Sequence, residues 1–207
     1  MSNRRRFIKS ASFASLLGLS SHAQELPTPK QIEGPFYPRF EAKDKDFDLT
    51  QIQGQNGVAK GTIIHITGKV LDLDGSAIED ATVDLWQANA AGRYRHPHDD
   101  NKAPIDPYFQ GWAIIPSSKD GSFKFKTILP GAYPIGKKRM RPPHIHFKVS
   151  KKDYHPITTQ MYFPNNPLNQ KDKLLQKLNK QEQALLIAKI NQGGSDNYEF
   201  NIYLKKI

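Results

Sequence analysis

The 207-residue chain has no cysteine. That excludes thiolate metal ligands, cysteine nucleophiles and disulfides. It leaves the compartment open, because exported proteins can do without disulfides. No run of 18 apolar residues occurs, so no segment has the length to span a bilayer by itself as a helix. Acidic residues are few: 20 Asp and Glu stand against 30 Lys and Arg, for a formal net charge of +10. No acid precedes Gln24, and Arg4, Arg5, Arg6 and Lys9 supply four of those charges, leaving +6 for the remainder. Elsewhere the bases are scattered, with one denser run at Lys137, Lys138, Arg139 and Arg141. There is no basic helix and no interleaving of bases with aromatics, so no nucleic-acid partner is expected. A scattered excess is a solvated surface that can also draw in anionic substrates. With 37% hydrophobic residues, the chain is long enough for one domain with a core and short for two.

The first residues have a three-part pattern. A basic stretch, Asn3-Arg4-Arg5-Arg6-Phe7-Ile8-Lys9, precedes a weakly apolar run from Ala11 to Ser20 and then Ser21-His22-Ala23, with small residues where an A-x-A cleavage site requires them. This resembles a bacterial twin-arginine signal peptide covering residues 1–23. The expectation is a periplasmic or secreted protein with no membrane attachment in its mature form. That route is associated with cargo folded before export, often around a cofactor. Residues 24–58 have prolines and charges without periodicity and read as an N-terminal arm that wraps the domain. The domain itself runs over residues 59–207.

After the arm the pattern is β. Thr62–Leu73 is rich in Ile, Val and Thr and ends at the turn pair Asp74-Gly75. Ala81–Trp86 alternates, with Val83 and Leu85 on one side. Ser122–Ile128 follows a second turn pair, Asp120-Gly121, and puts Phe123 and Phe125 on one face. In His144–Val149, Ile145, Phe147 and Val149 face one way, and His144, His146 and Lys148 the other. Ile157–Phe163 and Tyr198–Leu204 complete the set. Short strands separated by turn signals predict an all-β fold, an antiparallel sandwich with long loops. Leu174, Leu175, Leu178, Leu185, Leu186 and Ile190 recur among polar residues over Lys171–Ile190 and predict one or two short surface helices near the C-terminus. The loop from Arg95 to Gln110 is long and polar, a frequent property of functional loops.

The strongest local signal is Arg141-Pro142-Pro143-His144-Ile145-His146-Phe147. Two histidines one residue apart on a strand project from the same face and can reach one metal ion. Such a pair alone does not separate a metal site from two ordinary histidines. His96-Pro97-His98 has the same spacing but stands beside Asp99 and Asp100 and reads as a solvated loop. Without cysteine, further ligands must be His, carboxylate or tyrosinate. No acid is near the pair in sequence. Two tyrosines occupy unusual places: Tyr94 at the end of a strand-and-turn run, and Tyr133 in the rigid turn Pro130-Gly131-Ala132-Tyr133-Pro134. A tyrosine in a Pro-Gly turn is ordinarily a packing or capping residue.

Five runs occur in the order found in intradiol ring-cleavage dioxygenases. They are Glu33-Gly34-Pro35-Phe36-Tyr37-Pro38; Asp84-Leu85-Trp86-Gln87-Ala88-Asn89 through Gly92-Arg93-Tyr94; Pro130 to Pro134; Arg141 to Phe147; and Thr159-Gln160-Met161-Tyr162-Phe163. The chain resembles the protocatechuate 3,4-dioxygenase branch of that family, and nothing matches the helical N-terminal part of the catechol 1,2-dioxygenase branch. The resemblance implies non-haem iron(III) held by Tyr94, Tyr133, His144 and His146. It implies an oxidoreductase that opens a catechol-type ring, protocatechuate-like among the candidates, with O2 to give a muconate-type diacid. Iron(III) is a hard ion suited to anionic oxygen and tolerant of imidazole, so the donor set is consistent with it. The same resemblance makes Tyr133 the ligand that leaves as substrate binds and takes a proton. It makes Arg141 the cation that meets charge developing on the substrate, and Gln160 a polar neighbour in that pocket. Tyr37 would border the substrate. Trp86, Phe147 and Tyr162 read as packing residues.

Ile135 departs from the pattern, since protocatechuate enzymes can carry tryptophan there. Those enzymes also pair two different subunits, so a homo-oligomer and a second subunit both stay open. Two rival readings remain. Residues 62–129 also resemble transthyretin-like or carboxypeptidase-associated sandwich modules, which bind without metal, and fold alone does not exclude this. A zinc hydrolase using the two histidines lacks a carboxylate at a recognised spacing.

Overall fold

The computed structural model describes residues 25–39, 42, 44–136, 139–191, 193–194 and 196–207. The signal-like segment lies outside them. Among the described residues eleven strands are found: β1 (Ile63–Asp72), β2 (Thr82–Trp86), β3 (Trp112–Pro116), β4 (Ser122–Ile128), β5 (Tyr133–Ile135), β6 (Arg139–Arg141), β7 (His144–Ser150), β8 (Ile157–Tyr162), β9 (Lys189–Ile190), β10 (Asn197–Glu199) and β11 (Ile202–Leu204).

Two sheets form a sandwich. One runs β3-β2-β7-β8, every neighbour antiparallel. In the other, β1 pairs with β4 antiparallel and with β10 and β11 in parallel. This sheet is therefore mixed where sequence patterning predicts an antiparallel one. His65 opposes Asn197 and Val70 opposes Ile202, so the two last strands keep one register along β1. Between them Phe200 N–H donates to the Thr67 carbonyl and Asn201 Oδ1 accepts from Lys69 N–H. Together they act as a single interrupted strand.

The layers meet through aromatic side chains. Phe147 of β7 packs on Phe123 and Phe125 of β4 and on Phe200, with ring centroids 6.0, 6.3 and 5.3 Å apart. These are the alternating inward positions read from sequence, and interdigitation of two inner faces is how aligned sandwiches make a core. Alternation fails on the other side of β2 and β7. Asp84, Trp86, His144 and His146 are buried too, because further chain covers that face. Part of the cover is the arm: Gln31 N–H donates to the Thr158 carbonyl, Thr159 Oγ1 to Pro29, and Gln160 Nε2 to Ile32.

The C-terminal helical segment is short, as the leucine spacing predicts. It comprises two 3-10 turns, Pro167–Lys171 and Leu175–Lys177, and one α-helix, α1 (Lys180–Leu186), with a reciprocal Asn179/Glu182 capping box. Between the two 3-10 turns Asp172 is turned inward. Its Oδ1 accepts the amides of Leu174 and Leu175, and its Oδ2 binds Arg141.

Candidate metal centre

Strand register sets the first three side chains. Trp86 lies opposite His146 in the β2–β7 pair, and His146 opposite Gln160 in the β7–β8 pair. His144 lies opposite Tyr162. Directly opposed residues share a sheet face, so this face carries two histidines flanked by an indole and an amide. The Trp86 and His146 rings stack at 4.8 Å with 11° between planes. That contact fixes the imidazole plane.

Two turns bring in the tyrosines. The Asn89 side chain accepts from the amides of Ala91 and Arg93, closing the turn before Tyr94. The Asn89 carbonyl accepts from Gly131 N–H of the second turn. At Gly92 (φ 77°) a Cβ would collide with the Ala132 carbonyl, and at Gly131 with the Gly92 amide and the Ala90 carbonyl. Only glycines allow the two backbones to approach this closely. The result is Tyr94 edge-on to Tyr133, ring centroids 5.6 Å apart. Tyr133 Oη is 3.4 Å from His144 Nε2, and the His144 and His146 rings are 4.9 Å apart.

The four side chains expected from sequence thus converge, and their chemistry fits a cation. His144 Nδ1 lies 2.7 Å from the Pro142 carbonyl. It must donate there, which leaves the Nε2 lone pair free on the Tyr133 side. Tyr94 Oη and His146 Nδ1 are buried without a hydrogen-bond partner, each an uncompensated cost of about 1–3 kcal/mol unless a ligand meets it. Burial and then the Arg141 charge bring the His144 pKa down to about 3, against a weaker upward pull from the bond to Pro142. Burial, then His144 and Arg141, push His146 well below the usual imidazole range. Both rings are therefore neutral, the form that binds metal. Burial and then Tyr133 raise Tyr94; burial, partly offset by Arg141, raises Tyr133. Without a cation both phenols keep their protons, and a bound cation is what would remove them. No group of three or more His, Cys, Asp or Glu converges among the described residues, so a metal at the histidine pair must draw on the phenols.

Arg141 is buried beside this cluster. Its Nε donates to Asp172 Oδ2 at 2.7 Å, and its Nη2 to Gln160 Oε1 at 2.7 Å and to Tyr162 Oη at 3.0 Å. Burial works against the guanidinium's charge, but Tyr162, Tyr133 and Asp172 together hold its pKa above the ordinary value. Asp172 escapes a sequence reading: it is 31 residues from Arg141 and looks like a helix-starting aspartate before two leucines. Tyr162, read as packing, is also part of this network. Tyr37 does not present its hydroxyl to the centre. It donates to Asp84 Oδ2 at 2.8 Å and its ring packs edge-on against Trp86 at 4.9 Å, so it buttresses the wall that holds His146. His96, read as solvated, is instead buried and 5.7 Å from Phe36.

A family model for dioxygenases matches residues 32–206. The chain is 38% identical over 192 residues to a protocatechuate 3,4-dioxygenase beta chain from Burkholderia cepacia, covering 87% of this chain and 81% of that one. It is 33% identical over 149 residues to a chlorocatechol 1,2-dioxygenase from Cupriavidus pinatubonensis, covering 64% of this chain and 53% of the relative. Among solved structures, the dioxygenase domain of a dioxygenase–carbohydrate-binding fusion from Streptomyces sp. SirexAA-E superposes with a TM-score of 0.65 at 26% identity, over 87% of this chain and 99% of that one.

Proposed function

Because the chain belongs to the intradiol ring-cleavage dioxygenase family, we propose that it opens a catechol-type ring between its two hydroxyl-bearing carbons. The observation that carries this reading is the convergence of Tyr94, Tyr133, His144 and His146 with no carboxylate among them. A non-catalytic sandwich module has no use for four such donors around orphaned polar atoms. Non-haem iron(III) held by these side chains would supply the Lewis acidity and electron-accepting character that make a catecholate reactive toward O2.

The chain's own groups do the rest. Tyr133 is half-buried, with its Oη 3.4 Å from His144 Nε2, whereas Tyr94 is buried. Being the less enclosed of the two, Tyr133 is the one that, as a phenolate on a bound cation, would be free to move and to take a proton from a substrate hydroxyl. Arg141, immobilised by Asp172, Gln160 and Tyr162, places a fixed cation where negative charge grows on the ring. Both ends of the Gln160 amide are engaged, by Arg141 and by the Ile32 carbonyl. Gln160 therefore acts as a positioning residue for Arg141. The aromatic shell of Phe36, Trp86 and Tyr94 keeps water from the histidine side. Similarity to the Burkholderia chain favours a carboxylated catechol over an unsubstituted one, with either a second subunit or further copies of this chain as partner.

The visible spectrum tests the assignment. Two tyrosinates on iron(III) give a red-brown protein with a broad charge-transfer band. A protein that stays colourless after iron loading, or takes zinc in preference, would sink it.

We further propose that the protein is exported to the periplasm, which the basic, apolar and small-residue pattern of residues 1–23 supports. Replacing Arg4 and Arg5 with lysine is expected to hold the precursor in the cytoplasm. Unchanged periplasmic delivery on fractionation would overturn the idea.

A further inference from the structure

The two histidines of the centre are oriented by different means. His144 Nδ1 is held by the Pro142 carbonyl, the usual way in which a metal-binding imidazole is fixed through its other ring nitrogen. His146 has no such bond: its Nδ1 is buried without a partner. Its ring plane therefore depends on the indole of Trp86, stacked against it at 4.8 Å. That indole is not tethered either, since Trp86 Nε1 is also buried without a partner. Whatever fixes the Trp86–His146 pair must act through the rings packed on it.

Two further rings do so, and both are held by one carboxylate. Tyr37 meets Trp86 edge-on, with centroids 4.9 Å apart and 87° between planes. Trp112 lies opposite Trp86 in the β2–β3 pair and its ring is 6.2 Å from that of Tyr37. Tyr37 Oη donates to Asp84 Oδ2 and Trp112 Nε1 donates to Asp84 Oδ1, each at 2.8 Å. Asp84 precedes Trp86 by two residues on β2, so the two side chains leave the same face of the sheet. One side chain thus ties the arm and β3 to the strand that carries the indole.

Asp84 is only 5% exposed. Lys148, opposite it in register, bonds Glu33 at 3.1 Å. Burial raises the Asp84 pKa even though the bonds from Tyr37 and Trp112 favour the anion. Taking a carboxylate out of water is costly, and a position that needed only filling would be served by an apolar side chain. The paired tethers supply the reason for an acid here.

We infer that Asp84 is a positioning residue for the proposed ligand His146. By holding Tyr37 and Trp112 it keeps Trp86 in place, and Trp86 sets the plane in which the imidazole meets the ion. The inference rests on the ferric reading of the centre given above. Asp84 itself touches neither metal nor substrate.

The test follows full-length, iron-loaded proteins by the rate at which a chelator removes iron and by the charge-transfer band, with the thermal midpoint of each apoprotein alongside. Asp84→Ala should speed iron release about ten-fold, the low end of what loss of an outer-shell partner does to metal affinity, and should shift the band. Asp84→Asn should restore both, because its amide oxygen can accept from Trp112 and its NH2 can donate to the Tyr37 hydroxyl. Tyr37→Phe keeps the ring and loses one tether, so it should fall between them, and it carries the test if Asp84→Ala does not fold. Thr28→Val is the control for general loosening. The Thr28 hydroxyl accepts from Tyr203 N–H and ties the arm to β11, in the other sheet. Its loss should lower the thermal midpoint and leave iron release and the band unchanged. Wild-type release and band in Asp84→Ala, or in Tyr37→Phe where it stands in, overturn the inference. So does an Asp84→Asn protein no better than Asp84→Ala, or a Thr28→Val protein that releases iron as fast. A wild-type protein that takes no iron and shows no band removes the ferric reading itself, and the inference with it; an iron-holding wild type beside an unaffected Asp84→Ala removes the inference alone.

Discussion

Arg141→Ala should lower catechol-dependent O2 uptake by about a hundred-fold or more while iron and colour remain. Arg141 is not among the four converging donors, so its removal leaves the metal in place. On the proposed assignment the substitution removes a fixed cation beside the reacting ring, and one preorganised charge-stabilising group commonly accounts for about 3–4 kcal/mol of barrier. The tertiary structure adds a second effect. Arg141 is ion-paired with Asp172 at 2.7 Å, both side chains being nearly fully buried. Removing one partner strands the other charge, which typically costs about 3–5 kcal/mol of stability. The double variant Arg141→Ala/Asp172→Asn separates the two. It should regain most of the lost thermal stability and none of the lost turnover. Asp172→Asn alone should keep iron and reduce turnover less than Arg141→Ala, because Gln160 and Tyr162 still hold the guanidinium. Iron content, thermal midpoint and O2 uptake on the three proteins test this. Full activity in Arg141→Ala would show that the cation has no part in the chemistry.

His146→Ala should lose the iron itself, and with it the colour and all turnover. Four donors reduced to three hold the ion poorly, and the loss should exceed the roughly 10–100-fold in affinity typical of removing an outer-shell partner. The cavity left behind faces Trp86, whose indole loses its stacking neighbour. Tyr133→Phe should be intermediate. Its phenol is half-buried and only 3.4 Å from His144 Nε2, so iron is partly retained, the charge-transfer band shifts, and substrate binding slows for want of a proton acceptor. Metal analysis after dialysis, with spectra and O2 uptake, reads all three properties. Wild-type iron and turnover in His146→Ala would disprove its role as a ligand.

Much of this architecture is legible in local pattern. The alternation in β4 and β7, the turn pairs at Asp74-Gly75 and Asp120-Gly121, and the six strands first read from sequence all reappear in the sandwich. Four further strands are short or irregular: β5 and β6 pair with each other, while β3 and β9 pair with strands read elsewhere in the chain. Trp112 to Pro116 has no turn signal of its own and becomes a strand through pairing with β2. The start of α1 is set by the reciprocal Asn179/Glu182 capping box, whereas the inward turn of Asp172 to Arg141 is a contact no periodicity encodes.

The candidate site divides in the same way. Sequence alone determines that His144 and His146 share a strand face, because the β repeat is two residues, and that the absence of cysteine sends any metal to nitrogen and oxygen donors. Family order points to Tyr94 and Tyr133. Only the tertiary structure decides that these four meet, since Gly92 and Gly131 must touch backbone to backbone before the two tyrosine turns can converge. It also decides that Asp172 anchors Arg141, that Tyr37 props Trp86 in place of facing the centre, and that Asp84 holds both Tyr37 and Trp112. Side-chain periodicity reports which face a residue occupies. What covers that face depends on chain tens of residues away, so burial, orphaned donors and ion-pair partners emerge only once the arm and loops are folded over the sheet.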